Sequence, residues 1–394
     1  MIRDARCVRV LHTIAGLEEK SGGPSRTVPA LCEALARAGG CVDLIAQEPR
    51  GSRGKNIVPD PNLVRTRLVK AYSAVGARVV YSPVFRSNVR DVCIREGVQV
   101  IHDHGIWMPS NHSVAAVSRL TGIPLVVSPR GMLEPWALSY KNWKKRAGWV
   151  LYQRRDIAAA QLLCATSRQE AEAIRKVGCA QPIAVVPNGV AVPKLGGTVI
   201  RGDGCRNVVF LSRIHPKKGL LLLVAAWGMV RPSGWRVTVA GPDEGGHKKV
   251  VEDAVRRAGL ESVFEFVGAV DGESKDRLLR GADVVILPTM SENFGVVIAE
   301  ALAYGLPVIT TIGAPWSGIV DHACGWWVRH EVEDISGAIR EAVSLSDDER
   351  AAMGMRGRLW MEREFSWSIA ADRMLSAYDW MLHGGTPPSC IIRD

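Results

Sequence analysis

Two glutamates eight residues apart, Glu292 and Glu300, stand in a segment that is bounded on both sides by short apolar runs. Because an apolar run, 284–288, comes directly before it, Glu292 is predicted to lie in a strand-to-helix loop and Glu300 in the helix that Gly295 opens. A carboxylate accepts hydrogen bonds from two hydroxyl groups, such as those of a sugar ring or a ribose. An isolated pair of glutamates is more often two solvated helix residues, but the apolar context here favours a binding role.

The start of the same helix is predicted to bind an anion. Backbone N–H groups at a helix N-terminus are unpaired, and the helix dipole favours negative charge there. The N–H groups from Phe294 to Val297 would point at the anion, and the ligand contacts predicted here are Asn293, Phe294, Gly295 and Val296. A diphosphate is the natural ligand of such a position.

Two cations follow an earlier apolar run, 208–212, in the order Arg213 and Lys218. A guanidinium binds phosphate oxygens in a bidentate manner and an ammonium acts as a point charge, so the pair could hold a diphosphate. The neighbouring Lys217 is interpreted as a solvated loop residue. A weaker signal is the Gly22-Gly23-Pro24 loop, where paired glycines would let the backbone approach a ligand closely.

Short apolar runs alternate with helical patterns along the whole chain, which is typical of βαβ units and a parallel sheet. The strands predicted from these runs are 8–14, 41–46, 99–103, 124–128, 162–166, 183–186, 208–212, 235–240, 263–268, 283–288 and 307–310. Helices are predicted at 25–38, 110–120 and 167–177, and a largely helical region at 332–382. The fold class is therefore α/β with two Rossmann-like, doubly wound domains.

The 394-residue length also favours two domains. We predict an N-terminal domain at 1–192, a glycine-rich linker at 193–207 and a C-terminal domain at 208–370. A last helix at 371–394 is expected to pack back on the first domain. Two doubly wound domains in tandem are expected to bind ligands in a cleft at the carboxyl ends of their strands.

The composition is that of a folded protein, with 47% hydrophobic and 23% charged residues. Nine cysteines without paired spacing indicate neither a zinc site nor a disulfide framework and favour a reducing, cytoplasmic location. We expect no signal peptide and no membrane span. The net charge of +10 favours anionic partners, but no nucleic-acid-binding motif accompanies it, so nucleic acid is not expected as a partner.

With these motifs, the chain resembles family 4 retaining glycosyltransferases of the GT-B fold over nearly its whole length. The resemblance rests on Glu292 and Glu300, on Arg213 and Lys218, and on the 187–190 segment Pro-Asn-Gly-Val. It implies that Arg213 and Lys218 neutralise the donor diphosphate, that Glu300 binds ribose and that Glu292 contacts the donor sugar. The resemblance also implies that the 208–370 domain binds the donor and the 1–192 domain the acceptor. Gly22 and Gly23 of the 1–192 domain would then approach the diphosphate. Catalysis is then expected to depend on Glu292, Arg213 and Lys218, with no metal or other cofactor.

Many relatives of this kind have a histidine after the strand predicted at 124–128, whereas this chain has Arg130. A subgroup that acts in surface polysaccharide assembly is similar in the Arg-Gly-Met-Leu stretch, so Arg130 is interpreted as a donor or acceptor contact. It is not expected to act as a general base, because arginine stays protonated. His104 is interpreted as an acceptor contact. His102 and His104 are not expected to converge on a metal, on the argument that residues of an extended strand alternate between faces.

The segment 141–155 mixes basic and aromatic residues at helical spacing. It is either a helix with a charged outer face or a surface helix that lies on an anionic membrane. The expected activity is transfer of a sugar from UDP or GDP to a hydroxyl acceptor, such as a lipid-linked or oligosaccharide intermediate of surface polysaccharide synthesis. The alternatives are a sugar-nucleotide epimerase, a phosphorylase of the same architecture and a non-catalytic binding protein. The sequence does not identify the donor base, the sugar or the acceptor.

Overall fold

The computed structural model describes residues 8–19, 22–51, 54–73, 80–139, 145, 147–194 and 204–393. The chain divides into two compact units, the first comprising 1–189 and 367–394 and the second 190–366. The sequence-based boundaries lay at 192/193, 207/208 and 370/371. Most of the predicted linker, 195–203, lies outside the described residues.

The first unit is built on one mainly parallel sheet. Numbered in chain order, its strands are β1 (Arg9–Ile14), β2 (Cys41–Pro49), β3 (Arg65–Ser73), β4 (Val80–Tyr81), β5 (Val100–His104), β6 (Leu125–Ser128), β7 (Leu162–Ala165), β8 (Ile183–Val185) and β15 (Ile391–Ile392). Their order in the sheet is β15-β8-β7-β6-β5-β1-β2-β3-β4. The pairs β3–β4 and β8–β15 are antiparallel, and the other pairs are parallel.

Helices cover both faces of this sheet, which explains why nearly every residue of its central strands β1, β5, β6 and β7 is buried. They are α1 (Pro24–Arg37), α2 (Phe85–Arg95), α3 (Pro109–Thr121), α4 (Pro135–Ser139), α5 (Arg154–Ala158), α6 (Arg168–Lys176) and α14 (Trp367–His383). A π-helical turn, Trp149–Gln153, leads into α5. One buried cluster includes Leu11, Ile101 and Phe85, and the cluster on the other face includes Val10, Leu35 and Tyr378 of α14.

The second unit is a parallel sheet with the order β11-β10-β9-β12-β13-β14. The strands are β9 (Arg206–Leu211), β10 (Trp235–Ala240), β11 (Phe264–Gly268), β12 (Val284–Leu287), β13 (Val308–Thr311) and β14 (Gly325–Val328). The helices are α7 (Leu220–Val230), α8 (His247–Arg257), α9 (Gly272–Arg280), α10 (Val296–Ala303), α11 (Gly318–Asp321), α12 (Val332–Ser344) and α13 (Asp347–Glu364). The order reverses between β9 and β12, which makes the carboxyl ends of these strands the expected ligand site of a doubly wound sheet.

The predicted fold class is confirmed, and each predicted strand and helix corresponds to an element of the structure within a few residues. Four strands, β3, β4, β14 and β15, were not predicted, and no range was predicted for helices α2, α4, α7, α8, α9 and α11. The sequence indicates no disulfide framework, but Cys41 is disulfide-bonded. Seven other described cysteines are free thiols.

Candidate active site

In the second unit, the loops after three adjacent strands are fixed to one another by backbone contacts. Met290 N–H donates to the Lys217 carbonyl at 2.8 Å, and Glu292 N–H donates to the Gly313 carbonyl at 2.8 Å. Gly219 has a φ of +73°, and a Cβ built there would lie 1.8 Å from the Pro288 carbonyl oxygen. The loops after β9, β12 and β13 therefore form one closely packed edge.

This edge brings Lys218 and Glu292 together. Lys218 ends a 3₁₀ turn after β9, and its Nζ forms an ion pair with Glu292 Oε1 from the loop after β12. The two side chains are only 11% and 13% exposed. A buried cation and a buried carboxylate in contact place a positive charge and hydroxyl-accepting oxygens at one point of the site.

Arg213, two residues beyond β9, pairs instead with Glu244, with Nη1 and Oε2 2.5 Å apart. This pair is more open to solvent, with 53% of the arginine side chain exposed. Glu244 follows β10 and was not singled out from the sequence. Its contact with Arg213 depends on the pairing of β9 with β10, which sequence spacing does not reveal.

Helix α10 begins at this edge after Gly295, whose φ is +79°. Among the described residues, no backbone or side-chain acceptor binds the N–H groups of Gly295, Val296 and Val297. The predicted role of Phe294 is restricted to its backbone, because its side chain is buried against Trp316 and Phe365. Trp316 Nε1 donates to the Phe294 carbonyl and so fixes the entrance to the helix.

Glu300 lies one turn into α10 and pairs with Lys275 of α9, with Oε1 and Nζ 2.5 Å apart. It does not share an ion pair with Lys218 or Arg213 among the described residues. The two glutamates of the motif thus have separate partners. Lys275 was missed because no spacing rule links it to Glu300 across 25 residues of chain.

In the first unit, three histidines meet at the carboxyl end of β1 and β5. His12, His102 and His104 are fully or almost fully buried, and their nearest ring nitrogens lie within 4.8 Å of one another. The expectation that His102 and His104 do not converge was wrong. Residues i and i+2 of a strand share a face, so it is Asp103 between them that points away. Asp103 accepts hydrogen bonds from Thr13 and Asn111 instead.

The hydrogen bonds of this cluster determine which ring nitrogen of each histidine carries the proton. Arg130, at a φ of +55°, donates from Nη2 to His104 Nδ1 at 3.1 Å and from Nη1 to Asn188 Oδ1 at 2.9 Å. Because a guanidinium only donates, the proton of a neutral His104 lies on Nε2 and is donated to His12 Nδ1 at 2.8 Å. The proton of a neutral His12 then lies on Nε2, a buried atom without a partner in the described part of the chain.

Burial keeps these rings neutral. It lowers the pKa of His12 to about 3 and lowers the pKa values of His102 and His104 well below their ordinary value, and Arg130 lowers all three further. His102 is also bound by Tyr378 of α14 at 2.6 Å and by Ser128 at 2.7 Å. A cation at this cluster is disfavoured, because Arg130 lies 3.1 Å from the ring that would have to bind it. Neither His12 nor Tyr378 was singled out from the sequence.

The predicted loop of paired glycines is open. Gly22 has a φ of +97°, and Gly23 precedes α1 directly. A Cβ built on either residue would meet no atom of the described residues within 4 Å. The backbone there is accessible to a ligand.

Comparison with known proteins identifies the chain. Residues 202–360 match the model of glycosyl transferases group 1, and residues 22–189 match that of the glycosyl transferase 4-like domain. The chain belongs to this family of glycosyltransferases. The matched ranges contain Arg213, Lys218, Glu292 and Glu300 in one model and Gly22, His104 and Arg130 in the other.

Named relatives are distant but extend over most of the chain. A D-inositol 3-phosphate glycosyltransferase of Kribbella flavida is 27% identical over 91% of this chain and 90% of its own. A GDP-mannose:cellobiosyl-diphosphopolyprenol alpha-mannosyltransferase of Xanthomonas campestris is 25% identical over 71% of this chain and 70% of its own. The solved structure of sucrose-phosphate synthase from Thermosynechococcus elongatus has a TM-score of 0.73 at 19% identity, covering 96% of this chain and 100% of that one. This last likeness supports the GT-B fold.

Proposed function

We propose that this glycosyltransferase transfers a sugar, with retention of anomeric configuration, from a UDP- or GDP-sugar to a hydroxyl of a lipid-linked or oligosaccharide acceptor in surface polysaccharide synthesis. The observation that carries the proposal is the buried Lys218–Glu292 pair beside the open N-terminus of α10. The relative named for GDP-mannose and a diphosphopolyprenol acceptor supports the choice of donor and acceptor classes.

In this proposal the diphosphate binds Lys218, Arg213 and the first N–H groups of α10. Charge-assisted hydrogen bonds at a fixed site stabilise the negative charge that develops on the leaving diphosphate. Glu292 binds donor-sugar hydroxyls, and Glu300 binds the ribose. Gly22 and Gly23 keep the donor-contact role that the resemblance implies, and Asn293, Phe294 and Val296 contribute through the loop and the start of the helix.

We further propose that the diphosphate oxygen accepts the proton of the acceptor hydroxyl as the new glycosidic bond forms on the face that the diphosphate leaves. Glu292 serves hydroxyl binding here, and no covalent glycosyl-enzyme is required. The protein cations take the place of a metal. Arg130 keeps the proposed sugar or acceptor contact. His104, whose two ring nitrogens are hydrogen-bonded to Arg130 and His12, would support that contact by holding the guanidinium in place.

The test combines binding with product analysis. Thermal unfolding with UDP, GDP and their sugar conjugates should identify the donor by a rise in Tm. Lys218→Ala should abolish that rise, whereas Lys217→Ala, which changes the adjacent lysine, should preserve it. Proton coupling at the anomeric carbon of the product then reports the configuration. An inverted product, or a Lys218→Ala variant with unchanged nucleotide affinity, would overturn the proposal.

We also propose that the protein binds the inner face of an anionic membrane from the cytoplasm. Val150 and Leu151 are 81% and 79% exposed in the π-helical turn before α5, and the exposed Arg154 and Arg155 follow directly. Apolar side chains beside arginines suit a bilayer interface with anionic lipids. Residues 141–144 and 146 of the predicted segment lie outside the described residues. None of the helices in the described ranges is both long and apolar enough to cross a membrane.

Cosedimentation with vesicles tests this surface. Vesicles containing phosphatidylglycerol should bind the protein, and vesicles of phosphatidylcholine alone should not. The double change Val150→Glu and Leu151→Glu should remove binding, whereas Leu359→Glu, at a half-exposed leucine of the second unit, should retain it. Equal binding of both variants would refute the assignment of this surface.

A further inference from the structure

Glu300 has one carboxylate oxygen occupied and the other unused. Lys275 Nζ donates to Oε1 at 2.5 Å, while Oε2 is buried and has no hydrogen-bond partner within the described ranges. Both side chains are about one quarter exposed. A buried acceptor without a donor costs free energy that a ligand hydroxyl would recover on binding.

A second polar link joins the helices that carry Lys275 and Glu300. The next residue of α9, Asp276, accepts a hydrogen bond from Tyr304 Oη at 2.7 Å, and Arg280 Nε lies 2.7 Å from the same carboxylate. Tyr304 follows Glu300 by four residues, one turn further along the chain. Helices α9 and α10 are therefore joined at two successive points, Lys275–Glu300 and Asp276–Tyr304.

We propose that Lys275 is a positioning residue that sets the preference of the site for ribose. By holding Oε1, it fixes the Glu300 carboxylate in one orientation and leaves Oε2 to accept a ribose hydroxyl. Without Lys275 the carboxylate would rotate freely, and its contact with the ribose would no longer be fixed. The inference rests on the proposed ribose role of Glu300 and adds the residue that makes this role selective.

The experiment measures Kd for UDP and GDP and for their 2′-deoxy and 3′-deoxy counterparts by calorimetry. The readout is the ratio of deoxy to ribo Kd, which a general loss of stability would not change. Wild-type protein should bind the ribonucleotide about 10- to 100-fold more tightly than a counterpart that lacks the contacted hydroxyl. Lys275→Met should lower this ratio to about 1 to 3, because the hydrogen bond between Glu300 Oε2 and the ribose hydroxyl would be lost. Lys275→Arg should retain most of it.

The control is Asp276→Asn, which weakens the second link between α9 and α10 and leaves Lys275 in place. This variant should keep the wild-type ratio. An equal loss in Asp276→Asn would mean that helix packing, and not Lys275, sets the preference. Lys275→Gln serves as a second test variant, and thermal unfolding of each protein confirms that it is folded.

Glu300→Gln separates the two levels of the proposal. If the ratio is unchanged in Glu300→Gln, the ribose role in the proposed function is wrong. If the ratio collapses in Glu300→Gln but not in Lys275→Met or Lys275→Gln, the ribose role stands and the inference about Lys275 is wrong. A Lys275→Met protein that loses only its preference between UDP and GDP would also overturn the inference, because Lys275 would then bind the base.

Discussion

The Lys218–Glu292 pair can be tested by its effect on stability, independently of any substrate. With the side chains 11% and 13% exposed, removing one partner leaves a charge that is largely buried and uncompensated. Breaking a buried pair in this way costs about 3 to 5 kcal/mol. Because each side chain retains some access to water, we expect Lys218→Met and Glu292→Gln to cost about 3 kcal/mol each, at the lower end of that range.

The double variant gives the decisive value. With both charges removed, no buried charge remains, and the loss should shrink to within about 1 kcal/mol of wild type. Hydrogen exchange of the buried amides in β9 and β12 at increasing urea reports the opening free energy of this unit. The exposed pair Arg256–Asp253 of the same unit is the matched control, and its single variants should cost about 0 to 1 kcal/mol.

The reasoning would be refuted if each single variant lowered the free energy of unfolding by less than about 1 kcal/mol and the two losses added in the double variant. The pair would then behave as an exposed one. Nucleotide binding separates stability from function. The double variant should regain stability but not the Tm rise with nucleotide, since neither the ammonium nor the carboxylate has been restored.

Three further predictions concern the supporting structure. Gly219→Ala should abolish the nucleotide-dependent Tm rise, because its backbone has a positive φ and a Cβ there would meet the Pro288 carbonyl. The control is Gly228→Ala in α7, where a Cβ meets no described atom within 4 Å, and it should stabilise the protein by about 0.5 to 1 kcal/mol. Ser346→Ala should cost about 1 kcal/mol in urea unfolding through loss of the capping box with Glu349, and an unchanged urea midpoint would contradict this. The urea midpoint of the first unit should fall as pH is lowered from 6.5 towards 3, because the unfolded chain protonates its histidines while the buried His12, with a pKa of about 3, stays neutral. Burial raises the pKa of Asp103 to about 7, so protonation of this carboxyl in the folded protein stabilises it between pH 7 and 3.8 and opposes part of that fall. His12→Gln should flatten this dependence, and an unchanged slope would contradict the buried neutral state.

Where a strand is buried on both faces, its apolar run is continuous and its position could be predicted from the sequence. The run at β12 is an example, with all four residues buried. The strand β3 was missed because its sequence, Arg-Thr-Arg-Leu-Val-Lys-Ala-Tyr-Ser, carries three cations near the edge of the sheet. Such edge strands keep polar side chains in water and lose the apolar signature.

Within the candidate site, the sequence predicts the residues that local patterns mark, but not the partners that the fold brings to them. Arg213, Lys218, Glu292 and Glu300 each stand near the end of a strand or the start of a helix, which local patterns reveal. Their partners Glu244 and Lys275 come from other loops and helices, and only the strand order brings them close. The histidine cluster was missed for a different reason, since the period of two already places His102 and His104 on one face.

Two ion pairs of the proposed site, Lys218–Glu292 and Arg213–Glu244, differ in the free energy that a diphosphate would have to supply to separate them. Lys218–Glu292 is largely buried, so separating it would leave Glu292 uncompensated. In the proposed function, the diphosphate is therefore expected to bind Lys218 while that contact persists. Arg213–Glu244 is half exposed, and pairs of this kind contribute about 0 to 1 kcal/mol, so the guanidinium can exchange Glu244 for a phosphate oxygen at little cost. In the proposed function, Arg213 is therefore the group expected to change partner when the donor binds. Lys218 is the fixed charge around which the rest of the proposed site is built.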